Sequence, residues 1–193
     1  LVGSEMCIRD RATPIPRTLA LMIFGDLDLS ILDELPPGRQ KISTYLIDST
    51  IRPRALNFMK KHINNGNQCY IVCPLVEEND TNMASVEEYA ERLKDTALGS
   101  CRIAVLHGKM KSSKTDEIMT EFKNGNIDVL VSTTVIEVGV DVPNAVIMMI
   151  ENAERFGLSQ LHQLRGRVGR GTVKSHCILV SVSYTHLTLP PKA

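Results

Sequence analysis

Two near-continuous apolar runs, at residues 127–131 and 145–150, constrain this chain more than any other feature of it. A strand with one wet face alternates apolar and polar side chains. A run such as Val146-Ile147-Met148-Met149 has no alternation and must be buried on both faces. Strands of that kind belong to parallel sheets covered by helices. From about residue 40 the remaining sequence agrees, because strand-like and helix-like periods take turns. Stretches 42–47, 69–76, 102–106 and 175–180 read as further strands.

Between them lie helices with legible ends. Pro53 opens one that buries Leu56, Met59 and Ile63, and Asn65-Gly66 closes it as a left-handed cap. Ser85-Val86-Glu87-Glu88 reads as a capping box, with Val86, Tyr89, Ala90 and Leu93 as the apolar stripe behind it. A third helix, from about Ser113, buries Ile118, Met119 and Phe122 and stops near Asn124-Gly125. A short fourth begins near Ser159. The expected architecture is an α/β fold: a parallel sheet with helices on both faces. Ligands in such sheets gather at the carboxyl ends of the strands. The loops to watch are therefore those after Leu106, Val131 and Ile150, with the segment 159–171.

At 193 residues the chain is long enough for one ordinary domain, and its 4% aromatic content with no Trp implies aliphatic packing. It has no run of the length a membrane span requires and no signal peptide at its start. Five cysteines form no Cys-x-x-Cys pair; Cys69, Cys101 and Cys177 border apolar runs and read as buried thiols of a reducing cytosol, with no metal site expected. The 22 basic and 22 acidic side chains balance. That argues against a nonspecific DNA-coating protein but leaves room for local patches. One patch exists: Arg165, Arg167, Arg170 and Lys174, with no acid among them.

The arginines belong to Gln163-Leu164-Arg165-Gly166-Arg167-Val168-Gly169-Arg170-Gly171. Guanidinium groups match phosphate oxygens, and glycine lets a backbone approach a ligand closely. A solvated basic helix is the bland alternative. The spacing Gln-x-x-Gly-Arg-x-x-Arg (Gln163, Gly166, Arg167, Arg170) resembles the sixth motif of superfamily 2 helicases. The segment 131–144, where a buried strand runs into Thr133-Thr134 and then Glu137, Gly139 and Asp141, resembles their fifth motif; alone it is also a plain strand-to-loop junction. Leu106-His107-Gly108-Lys109, a strand entering glycine and then a helix, is a weaker anion-site pattern. Ala12-Thr13-Pro14-Ile15-Pro16-Arg17-Thr18 resembles the tail of the third motif, with Arg11 where Ser or Thr leads. Together with the turn Asp33-Glu34-Leu35-Pro36-Pro37-Gly38-Arg39 and Cys73-Pro74-Leu75-Val76-Glu77-Glu78, these segments stand in the order of the RecG branch, across residues 12–181.

That resemblance implies a set of roles. Arg167 and Arg170 would be arginine fingers reaching a nucleotide held by another motor domain, with Gln163 positioning the same site. Gly139, Asp141 and Gly166 would line the nucleotide; Asp141 would either accept from a ribose hydroxyl or orient a finger. Gly108, Lys109, Thr133 and Thr134 would hold DNA phosphates, and Thr13, Pro14 and Glu137 would couple the two activities. His107, His162 and Arg165 stay open between packing and contact. The resemblance also implies ATP and Mg²⁺ as cofactors, held mainly by a first motor domain, and no metal ligands in this chain. The partners would be branched or duplex DNA, the first motor domain and the wedge domain of the same polypeptide, with no membrane. The protein would be a bacterial, cytoplasmic, nucleoid-associated monomer that reverses forks and migrates junctions.

The expected organisation is residues 1–11 as a non-native tail, 12–30 as a remnant of the first RecA-like domain, 31–181 as the second, and 182–193 as a further non-native tail. Both tails resemble adaptor read-through. The sequence holds neither a Gly-x-x-x-x-Gly-Lys-Ser/Thr loop for phosphates nor an Asp-Glu-x-His-like strand end for Mg²⁺. By itself the chain is expected to turn over no ATP and to unwind no DNA. Two alternatives stand beside this reading: the second motor domain of a transcription-repair coupling factor-type translocase, and a non-catalytic nucleic-acid-binding module.

Overall fold

The computed structural model describes residues 41–74, 81–133 and 142–181, with backbone alone for 81–85. Among these, six strands form one sheet: β1 (Ser43–Asp48), β2 (Gln68–Val72), β3 (Ile103–Leu106), β4 (Val129–Ser132), β5 (Ala145–Ile150) and β6 (His176–Ser181). The order across it is β1-β6-β5-β2-β4-β3, and every pair is parallel. Four α-helices lie between: α1 (Arg52–Asn64), α2 (Thr81–Lys94), α3 (Ser112–Lys123) and α4 (Leu158–Arg165). A 3₁₀ turn, Ala153–Arg155, precedes α4.

The strand order dictates which face each helix covers. From β1 to β2 to β3 the chain moves one way across the sheet; from β3 it turns back through β4 and β5 to β6. Parallel crossovers keep one hand, so reversing direction forces the helices to change face. The packing shows that change. Ala55, Leu56 and Met59 of α1 and Val86, Ala90 and Leu93 of α2 join Cys69 and Ile71 in one core. Met119 and Phe122 of α3 and Leu161 and Leu164 of α4 join Tyr70 and Val72 in the other. Period-two alternation along β2 thus feeds both cores, which is why its five residues are all buried.

The expected fold is the one observed, with three local differences. Strand β2 ends at Val72, not Val76: the Cys73 N–H makes a last bond to the Ser132 carbonyl at 2.8 Å, and Pro74 has no N–H with which to continue. Helix α2 already starts at Thr81, so Ser85 lies inside it and is not its cap. Helix α3 starts at Ser112 with an extended Lys111 before it, so Gly108 and Lys109 occupy a turn that precedes the helix. The closing glycines behave as read, with Gly66 at φ +83° and Gly125 at φ +80°. Residues 1–40 and 182–193, with the third-motif tail and both tail assignments, lie outside the described residues.

Candidate functional site

Each strand of a parallel sheet delivers its next residue to the same edge. Here that carboxyl edge runs Glu151, Cys73, Thr133 and His107, following β5, β2, β4 and β3. The row is closed by backbone bonds: Glu151 N–H to Val72 O at 2.9 Å, Cys73 N–H to Ser132 O at 2.8 Å, and Thr133 N–H to Leu106 O at 3.3 Å. Thr133 is therefore beside the β3 exit, where Gly108 and Lys109 are exposed. His107 is buried, and its Nδ1 has no hydrogen-bond partner among the described residues. Of the residues expected to hold phosphate, the structure brings Thr133, Gly108 and Lys109 to one corner. Thr134, Glu137, Gly139 and Asp141 lie outside the described residues, as do Thr13 and Pro14.

The arginine segment has a different address. Gly157 caps α4, its N–H bonded to Gln160 Oε1 at 3.0 Å. The helix lies on the second core through Leu161 and Leu164, and Val168 follows them inward. This leaves Gln163 and Arg167 half-buried and Arg170 exposed. Gly166 ends the helix with ordinary right-handed geometry at φ −68°, whereas Gly169 stands at φ +81°, a conformation glycine alone takes without strain. Gly171 lies against the backbone of Pro143, two residues before β5 starts. The arginine turn thus descends towards the amino edge of the sheet, away from the carboxyl-edge loops with which the sequence grouped it. The reason is topological: α4 leaves the carboxyl end of β5, and the chain must return to the amino end of β6. The close approach that Gly171 permits is to Pro143, where the sequence pattern pointed to a ligand.

The carboxyl edge between β2 and β5 holds a group that sequence reasoning missed. Glu151 is 7% exposed, and it is the one buried carboxylate, with no buried Lys or Arg, among the described residues. Its Oε1 accepts from Arg52 Nε at 2.7 Å and from the Tyr89 hydroxyl at 2.6 Å, while Arg52 Nη2 donates to that hydroxyl oxygen at 2.8 Å. The Arg52 guanidinium also lies 5.2 Å from the Tyr89 ring centroid. Burial opposes the Arg52 charge, but Tyr89 and Glu151 outweigh it and raise its pKa. Burial, then Glu151, raises the Tyr89 phenol, and burial pushes the neighbouring Cys73 thiol up to about 12. The available signal was an acid placed directly after an unbroken apolar strand. The sequence marks Tyr89 only as part of an apolar stripe, and nothing in it names Arg52 as the partner of Glu151, 99 residues away.

Cys69, Cys73 and Cys177 are buried free thiols and Cys101 is half-buried; no group of three or more His, Cys, Asp or Glu suited to a metal occurs among the described residues. No helix among them is long and apolar enough to cross a membrane.

Comparison with known proteins agrees with this fold. Residues 52–172 match the family model of the helicase conserved C-terminal domain. Over 171 residues, 88% of the chain, the sequence is 50% identical to the ATP-dependent DNA helicase RecG of Bacillus subtilis strain 168. The chain spans only 25% of that relative's length. A solved structure of RecG bound to a three-way DNA junction superposes with a TM-score of 0.73 at 45% identity, covering 88% of this chain and 22% of that one. The C-terminal domain of a DEAD-box protein shares the fold at 16% identity and a TM-score of 0.51, covering 76% of this chain and 78% of that one. With more than half of its length inside the family model, the chain belongs to the helicase conserved C-terminal domain family, and within it is similar to the RecG helicases.

Proposed function

We propose that this chain is the second motor domain of a RecG-type, ATP-dependent DNA helicase that remodels branched DNA, as in fork reversal and junction migration. In this reading residues 31–181 form the domain, residues 12–30 continue from a first motor domain, and the protein is cytoplasmic and works as a monomer. The observation that carries the reading is the turn that ends α4. It presents Arg165, Arg167 and Arg170, with no acid between 165 and 174, at and beyond the end of a helix whose other face is packed into the core. Such a donor set suits a polyphosphate, not a cation.

The residues fit a nucleotide supplied from outside. Arg167 and Arg170 would face its phosphates as arginine fingers, with Gln163, Gly139, Asp141 and Gly166 around them. ATP with Mg²⁺ would supply the hydrolysable phosphoryl group, held mainly by the first motor domain. Guanidinium charge fixed beforehand beside oxygens that gain negative charge favours the transition state without reorganisation. Gly108, Lys109, Thr133 and Thr134 would hold DNA phosphates, Lys109 by charge and the threonines by hydroxyl and backbone N–H. Glu137, Thr13 and Pro14 would couple the two sites. Among the described residues, Gly108, Lys109 and Thr133 stand at the carboxyl corner and the arginine segment runs towards the amino edge, which supports a division of labour: DNA at the first, nucleotide at the second.

The test is Arg170→Ala in the full-length protein. ATP turnover should fall by on the order of 10³-fold or more while affinity for a forked duplex holds. Equal loss of both would remove Arg170 from the nucleotide site.

A further inference from the structure

Ligands of open parallel sheets settle in the crevice where neighbouring strands send their connections to opposite faces. In this sheet that point lies between β2, whose connection leads to α2 on the first face, and β5, whose connection leads to α4 on the second. The crevice holds the carboxylate of Glu151, gripped by Arg52 from α1 and Tyr89 from α2. Two features make this more than a packing contact. First, Glu151 is the last residue before the chain changes face: Asn152 takes a left-handed conformation at φ 49°, Ala153 is buried in the second core, and α4 follows. Its side chain thus ties the helices of one face to the strand end that launches the arginine segment on the other. Second, an ion pair between a buried carboxylate and a half-buried guanidinium is costly to desolvate, and apolar residues of similar volume often hold a core as well. Stability alone does not explain a charge here.

We propose that Glu151 is a positioning residue. Held by Arg52 and Tyr89 at the switch point, it fixes the exit of β5 and, through the Asn152 turn, the placement of the segment carrying Gln163, Arg167 and Arg170. The proposal rests on the arginine-finger reading above.

The experiment uses the full-length protein with forked duplex DNA, and compares Glu151→Gln, Tyr89→Phe, the apolar triple Arg52→Met/Tyr89→Phe/Glu151→Met, and Arg167→Lys. Melting temperature, DNA affinity, and kcat and KM for ATP are measured for each. Misplacement of a catalytic group at a distance costs up to on the order of 10²-fold. E151Q should therefore lower kcat by about ten- to a hundredfold at unchanged KM and DNA affinity. The triple should melt no lower than wild type and stay as slow as E151Q. E151Q added to R167K should cost less than the two singles together. Wild-type kcat in a stable triple overturns the proposal, as does wild-type kcat in E151Q beside a slow R167K. If the triple does not fold, E151Q and its combination with R167K decide the matter by the same criteria. Wild-type kcat in R167K overturns the arginine reading itself, whatever E151Q does.

Discussion

A side chain at Gly171 would collide with Pro143: a Cβ there would stand 2.5 Å from that residue's carbonyl oxygen. The contact joins the end of the arginine segment to the start of β5, backbone against backbone. Gly171→Ala must therefore push one main chain off the other. Overpacking of this kind costs about 1–3 kcal/mol. A lower urea midpoint and slower ATP turnover in the full-length protein are expected. An unchanged midpoint would mean that the turn moves freely.

Gln68 fastens α3 to the sheet. Its side-chain amide donates to the carbonyls of Phe122 at 2.5 Å and Ile127 at 2.7 Å, on either side of the Gly125 turn. Gln68→Leu takes that donor from the buried Phe122 carbonyl and from the half-buried Ile127 carbonyl. The expected loss is about 1–3 kcal/mol, read by chemical denaturation. Neutrality would show that another donor replaces the amide.

Two histidines should make stability fall with acid. His62 of α1 and His176 of β6 lie 5.5 Å apart between ring centroids, packed with Phe58 and Tyr45, and neither Nδ1 has a hydrogen-bond partner among the described residues. Burial lowers both pKa values; His62 and Lys174 lower that of His176 further. The unfolded chain then binds protons at a higher pH than the folded one. The stability conferred by neutral imidazoles is present above about pH 6.5 and is lost as pH falls through the folded-state values. The urea midpoint should drop between about pH 7.5 and about pH 5.5, and a His62→Phe/His176→Phe variant should flatten that slope. The same slope in the double variant would assign it to other groups.

Lys109 tests the carboxyl corner. If it holds a backbone phosphate, Lys109→Ala in the full-length protein should weaken DNA binding alike for all sequences, and reduce the salt slope of log K by about one. An unchanged slope would place the DNA elsewhere.

The sequence by itself determined the fold. The unbroken run at 145–150 fixed a strand buried on both faces, and the periods around it fixed helices on both sides, because burial pattern is a local property of a pleated or coiled chain. The spacing of Gln163, Gly166, Arg167 and Arg170 likewise marked out the arginine segment from residue types alone. Only the tertiary structure decided where that segment points. The return of the chain from the end of β5 to the start of β6 carries it to the amino edge, a consequence of strand order that no local pattern encodes. Tertiary structure alone also joined Arg52, Tyr89 and Glu151. A buried charge is matched by whatever the fold brings within hydrogen-bond reach, and proximity across 99 residues is written in topology, not in spacing.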